Sequence, residues 1–176
     1  MPIITRKIEL KIVKDGLTDE EYDQQWKYLY QINNTIYLAA NRISTHCLFN
    51  DEYEMRLKLH MPRYKEIEKE LKKLDSDKKT SDKEIRDRLL NERKELDEDV
   101  KNKKKDFLQC SKQNSTYQLV SKEFKQYIPS DILANLNQKI QENYNNNQKK
   151  IESGERALST YKKGMEIPFS IRENKR

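Results

Sequence analysis

Between Gly16 and Gly154 the chain has no glycine, and the same stretch holds two prolines, Pro62 and Pro129. Sandwiches, barrels and doubly wound sheets turn sharply every few residues, and they lean on glycine and proline to do so. They also need near-continuous apolar strands. With 3 Gly and 4 Pro in 176 residues, 34% hydrophobic and 38% charged residues, the sequence supplies neither. What remains is a mainly α chain of long helices with solvated faces, large enough to bury one modest core.

The only strand patterns lie at the two ends. Residues 3–14 alternate in part, with Ile4, Ile8, Leu10 and Ile12 on one parity and Thr5, Lys7, Glu9 and Lys11 on the other, and they stop at Asp15-Gly16. Glu166 to Ile171 has extended character after a turn at Lys163-Gly164 and is the natural neighbour for 3–14, since a lone strand has nothing to pair with.

Between these ends the helix signals follow in order. Thr18-Asp19-Glu20-Glu21 fits a capping box. The helix behind it carries Trp26, Leu29, Asn33, Ile36, Ala40, Ile43 and Cys47 in one stripe toward partner helices, with Trp26, Tyr30 and Tyr37 read as core or staple packing, and it breaks around Phe49 to Asp51. Met61-Pro62 opens the next segment. Tyr64, Ile67, Leu71 and Leu74 form a seam that Ile85, Leu89, Leu96, Val100 and Phe107 resume beyond a solvated turn at 75–82, so 63–108 reads as an antiparallel helical hairpin. Ser115 or Thr116 caps a short helix that Pro129 ends, and Ser130-Asp131 caps a last one through Ile132, Leu133, Leu136, Ile140 and Tyr144. The exposed side of that last helix collects Asn143, Asn145, Asn146, Asn147, Lys149 and Lys150, a face suited to hydrogen bonding or simply to water.

Charge is divided unevenly. Residues 1–100 hold 20 Lys and Arg against 22 Asp and Glu; residues 101–176 hold 16 against 8. A basic half of this kind suits a polyanion, because each Lys or Arg on a phosphate releases counterions and adds sequence-independent affinity. Lys101, Lys103, Lys104 and Lys105 form its densest run.

Catalytic and metal motifs are absent from the pattern. His46 and His60 sit in no ligand spacing, Cys47 and Cys110 form no C-x-x-C pair, and the isolated glycines build no phosphate-binding loop. No catalytic residue, metal ligand or cofactor is therefore assigned. No uncharged apolar stretch approaches the ~18 residues that span a bilayer, and the N-terminus lacks a secretion-signal cleavage pattern, so the expectation is a soluble, intracellular protein without a membrane partner.

The first strand K-I-E-L-K-I-V-K (residues 7–14), the helical stretch after it and the basic R-A-L-S-T-Y-K-K-G-M-E-I-P-F (residues 156–169) resemble the N-terminal region of miniature type V CRISPR effectors and their transposon-encoded TnpB relatives. The resemblance implies a wedge strand at 1–16, a helical recognition domain at 17–163 and a return strand at 164–176. It further implies guide RNA and target DNA as partners, with a second copy through the helical domain left open, in a prokaryotic cytoplasm. By analogy Gln113, Ser115 and Tyr117 lie near the surface that reads the DNA motif beside the target, and Lys162 and Lys163 lie on phosphates or a base edge. Lys149 and Lys150 join the same basic set. The zinc-binding Cys cluster of some members is missing here, and the family's nuclease domain would begin beyond residue 176, so this chain is expected to bind without cutting. The competing reading is a helical coiled-coil adaptor or oligomerisation protein without nucleic-acid function.

Overall fold

The computed structural model describes residues 12–76, 83–108 and 112–168. Five helices follow one another among them: α1 (Asp19–Leu59), α2 (Pro62–Ser76), α3 (Lys83–Leu108), α4 (Lys112–Phe124) and α5 (Ser130–Glu152). The first is nucleated as its sequence dictates. The Thr18 hydroxyl accepts the Glu21 amide at 3.3 Å while the Glu21 carboxylate takes the Thr18 amide at 2.9 Å, so two otherwise orphaned donors are satisfied. The Thr18 amide, together with the Thr18 hydroxyl, which donates to the same carboxylate at 3.0 Å, holds the Glu21 carboxyl below its ordinary range, the amide contributing most. Asp19, Glu20 and Glu21 at one end and Arg56 and Lys58 at the other complement the helix dipole.

The helix does not break at Phe49–Asp51. It runs on to Leu59, because Asn50 is buried in the packing and nothing in that stretch removes an amide or forces a left-handed residue. The stop comes with Pro62, whose ring disfavours a helical conformation just before it and whose missing N–H suits the first turn of a new helix.

The main core forms where α1 packs on α4 and α5. Ile32, Ile36, Ala39, Ala40, Ile43 and Cys47 meet Val120, Ile128, Ile132, Leu133, Leu136, Ile140 and Tyr144. The stripe is buried only from Ile32 onward. Nearer its start Trp26 is half-buried between Tyr22 and Tyr30 of its own helix, at ring-centroid distances of 6.3 and 5.9 Å, and Tyr30 stands exposed.

A second, smaller cluster of Ile67, Leu71 and Leu89 zips α2 to α3. Arg63 pairs with Glu92, Arg93 with Glu68 and Arg86 with Asp75, so early residues of α2 face later ones of α3 and the hairpin is antiparallel. Ile85 and Phe107, expected in its seam, are exposed instead. Of the turn expected at 75–82, Asp75 and Ser76 belong to α2 and the rest lies outside the described residues.

The helix α4 starts before its expected cap. It begins at Lys112, which leaves Ser115 and Thr116 buried inside it, with the Thr116 hydroxyl 3.0 Å from His46 Nδ1 of α1. Ser130 opens α5, but no side chain caps it there. The strand expected at 3–14 lies outside the described residues except for 12–14, which are irregular, as are 166–168 of the strand expected at 166–171. Cys47 is buried, and Cys110 falls outside the described residues. No helix among the described residues is long and apolar enough to cross a membrane.

Candidate nucleic-acid interface

The chain reverses after α5 and returns along it. Gly154 takes a φ of +77°, a left-handed turn where a side chain is strained, and the Arg156 amide then donates to the Lys150 carbonyl at 2.9 Å. The asparagines of α5 hold this returning segment. Asn147 Oδ1 accepts from the Arg156 guanidinium, Asn143 Nδ2 donates to the Tyr161 hydroxyl at 2.8 Å, and Asn135 Nδ2 reaches the Pro168 carbonyl at 3.4 Å. Arg156, Tyr161 and Pro168 thus meet progressively earlier turns of α5, so the segment runs antiparallel to the helix.

From the other side α1 clamps the same segment. The Asn41 side-chain amide donates to the Tyr161 carbonyl at 2.9 Å and accepts the Tyr161 N–H at 2.7 Å, the two-way bond one strand offers another. Ser44 adds a bond to the Ser159 carbonyl at 3.1 Å. Leu158, Tyr161, Met165 and Ile167 pack on the core beside these bonds. Beyond the clamp Gly164, at φ +87°, completes the turn that displays Lys162 and Lys163 in solvent. An Asn41→Leu variant leaves both Tyr161 backbone groups without their partner, so we expect a loss of about 1–3 kcal/mol in local stability. Hydrogen exchange at the Tyr161 amide reads this directly, and unchanged protection would mean that packing alone holds the segment.

The expected site residues separate into three groups. Lys149, Lys150, Lys162 and Lys163 flank the clamped segment and are exposed. Together with Lys105, Lys122 and Lys125 they make no ion pair among the described residues. The rest of the run on α3 behaves differently. Lys101 pairs with Glu98 at 2.8 Å, which raises its pKa, and Lys103 pairs with Asp99 at 2.9 Å. Lys104 is turned into the fold, its Nζ 2.8 Å from Glu54 and its side chain 11% exposed, and that burial takes it out of reach of a phosphate.

In the third group Ser115 is buried and Tyr117 is half-buried against the main core, so both side chains lean inward from α4; Gln113 belongs to the first turn of that helix.

Glu54 is the hub of a half-buried ion network. It also accepts from Lys58 at 3.2 Å, and Lys58 reaches Asp97 at 3.1 Å, so α1 and α3 are joined by alternating charges. Burial works to raise the Glu54 carboxyl, but the bonds and charges of Lys104 and Lys58 outweigh it and the net direction is down. Burial likewise opposes the Lys58 ammonium, yet Asp97 and Glu54 push its pKa up to about 12. An open cleft of about 270 Å³ beside this network is lined by Asp51, Glu54, Met55, Lys58, Gln148 and Glu152, whose three carboxylates outnumber the one lysine and make it a poor seat for phosphate. Among the described residues no group of three His, Cys, Asp or Glu converges as metal ligands do.

Two features escape a reading of the sequence. Asn41 is half-buried at the edge of the buried stripe of α1, and its bonds to Tyr161, 120 residues away, leave no local sign in the sequence. His46, Phe49, Tyr53 and Phe107 come together as a row of rings across α1 and α3, and because Phe107 is distant in sequence, no local pattern joins them.

No protein-family model matches the chain, and no curated protein and no solved structure is significantly similar to it.

Proposed function

We propose that the chain is a nucleic-acid-recognition module of an RNA-guided, DNA-targeting effector. It holds guide RNA and the guide–target hybrid through their phosphates and lies beside the flanking DNA motif. The observation that carries this reading is the exposed lysine set of Lys149, Lys150, Lys162 and Lys163 along a segment clamped to α1 and α5, without acidic partners among the described residues. A cation already paired within the fold gives up that pair when it meets a phosphate, whereas these four do not. The clamped segment also coincides with the basic stretch 156–169 on which the family resemblance rests. Its role is binding, with no catalytic residue or cofactor assigned to it.

The test is a filter-binding titration of a structured RNA over a range of salt. Affinity is expected to fall steeply as salt rises, and replacing Lys149, Lys150, Lys162 and Lys163 with Gln should flatten the log–log slope by about 0.7–0.9 for each phosphate that is no longer neutralised. Replacing Lys101 and Lys103 should do much less, since Glu98 and Asp99 already hold them. RNA binding that ignores both sets, or no binding at low salt, overturns the reading and leaves the adaptor alternative.

A further inference from the structure

We infer that the start of α1, residues 19–30, is a docking face for a basic amphipathic segment of a partner protein, one that sets a lysine or arginine side chain beside an apolar row. The inference does not depend on the nucleic-acid reading, since this face takes a ligand of the opposite charge.

Tyr22, Trp26 and Leu29 follow one another at four- and three-residue steps, in line with the stripe that is buried from Ile32 onward. All three are half-buried, yet none of them joins the core that α1 builds with α4 and α5, nor the cluster of the hairpin. Tyr30 beside them is 59% exposed. An apolar row therefore extends the stripe past the end of the core.

Charge selects the occupant. Residues 12–31 hold five carboxylates, Asp15, Asp19, Glu20, Glu21 and Asp23, against Lys14 and Lys27. The positive end of the helix dipole offsets only about half a unit charge of that excess. This end of the chain thus repels a phosphate backbone and attracts a cation.

The chain itself shows how a cation is held here. Lys14 Nζ lies 2.6 Å from Asp19 Oδ1 and 5.7 Å from the centre of the Tyr22 ring, so one ammonium is shared between a carboxylate and the π face three residues beyond it. Asp23 and Trp26 repeat that spacing one turn later, and tryptophan is the stronger cation–π ring. Asp23 is exposed and makes no ion pair among the described residues, Lys27 included. A partner's lysine or arginine can take at Asp23 and Trp26 the place that Lys14 takes at Asp19 and Tyr22. The apolar side of the same segment then covers Leu29 and Tyr30, as an amphipathic helix does in a groove.

Trp26 is the only tryptophan in the sequence, so its fluorescence reads this face alone. The experiment titrates the full chain with an amphipathic helical peptide of lysine and leucine. Trp26 emission should move to the blue and its quenching by acrylamide should fall, whereas the same peptide with glutamate in place of lysine should change neither. With the lysine peptide carrying fluorescein and read by anisotropy, Asp23→Lys should weaken binding about tenfold, because an attraction becomes a repulsion. Trp26→Leu, which keeps apolar bulk but has no π face, should weaken it about threefold. Asp87→Lys, at an exposed carboxylate of α3, should leave it unchanged. Equal melting temperatures of the three variants establish that folding is not the cause. If Asp87→Lys costs as much as Asp23→Lys, the peptide follows net charge and the docking face is wrong. A Trp26 that is already shielded from acrylamide before peptide is added means that this chain's own residues cover the face, and shielding that grows with protein concentration means that a second copy does. Either result overturns the proposal, as does a peptide that leaves Trp26 unmoved.

Discussion

Replacing Leu136 with alanine should lower the unfolding free energy by about 3–4 kcal/mol, the largest single effect expected in this molecule. Leu136 has no exposed surface and sits among Ile132, Leu133 and Ile140 of its own helix and the buried stripe of α1. Truncation removes its transfer free energy and leaves a cavity that two packed helices close only in part. For a chain of this length the loss corresponds to a melting temperature lower by ~10 °C. Ile85→Ala is the contrast. Ile85 belongs to the sequence seam of the hairpin but is 47% exposed, and its removal should change stability by no more than about 0.5 kcal/mol. Equal losses from the two variants would mean that the hairpin buries Ile85 in solution.

The second large effect belongs to the charge hub. Glu54→Leu strips Lys104 of its partner while the Lys104 side chain remains inside the fold, and an uncompensated buried ammonium is costly. Because Glu54 itself keeps some contact with water, the expected loss is at the lower end for such pairs, about 2–3 kcal/mol. Adding Lys104→Met should recover most of it, since the second change removes the stranded charge and leaves an apolar side chain of similar length. A single variant as stable as the parent would show that Lys104 finds water instead.

The hub also has a definite pH profile. The Glu54 carboxyl is lowered by folding, so its stabilisation is complete above the unfolded carboxylate pKa and disappears as pH falls through the folded value. Lys58 is raised to about 12, so its contribution is complete below the unfolded lysine pKa and disappears as pH climbs through that figure. Urea midpoints measured against pH should therefore show a plateau through neutrality for this network, and Glu54→Leu should flatten the acid limb.

The legibility of the fold followed the range of the interactions. The capping box at Thr18 and Glu21, the new helix at Pro62 and the turn at Gly164 were readable because each depends on residues a few positions apart, whereas α4, expected to run on until Pro129, already ends at Phe124. The false break at Phe49–Asp51 arose because Asn50 and Asp51 look like turn residues locally, while the structure buries Asn50 against other helices. Ser115 and Thr116 misled for the same reason: a hydroxyl that can cap a helix can equally bond His46 across an interface. At the candidate site the lysines were visible as charge, but which of them were already engaged was not. Lys104 and Glu54 lie on different helices, and nothing in the run of lysines distinguishes the one that faces inward. Of the asparagine face read on α5, Asn143 and Asn147 bond this chain's own returning segment, and Asn135, which was not part of that reading, reaches it as well.

That segment also sets a schedule for synthesis. Asn41 and Tyr161 are 120 residues apart, and Ser44 and Ser159 are 115 apart. At roughly 5–20 residues per second, a ribosome releases the first member of each pair many seconds before the second. The pairing of α2 with α3 spans far shorter loops and closes early. The buried stripe of α1, by contrast, must wait in water for α4 and α5, and Asn41 waits longer still. A nascent chain stalled before residue 130 therefore displays Ile32, Ile36, Ile43 and Cys47 to any chaperone or neighbouring chain, and the stretch that seals this groove emerges only after all five helices have been made.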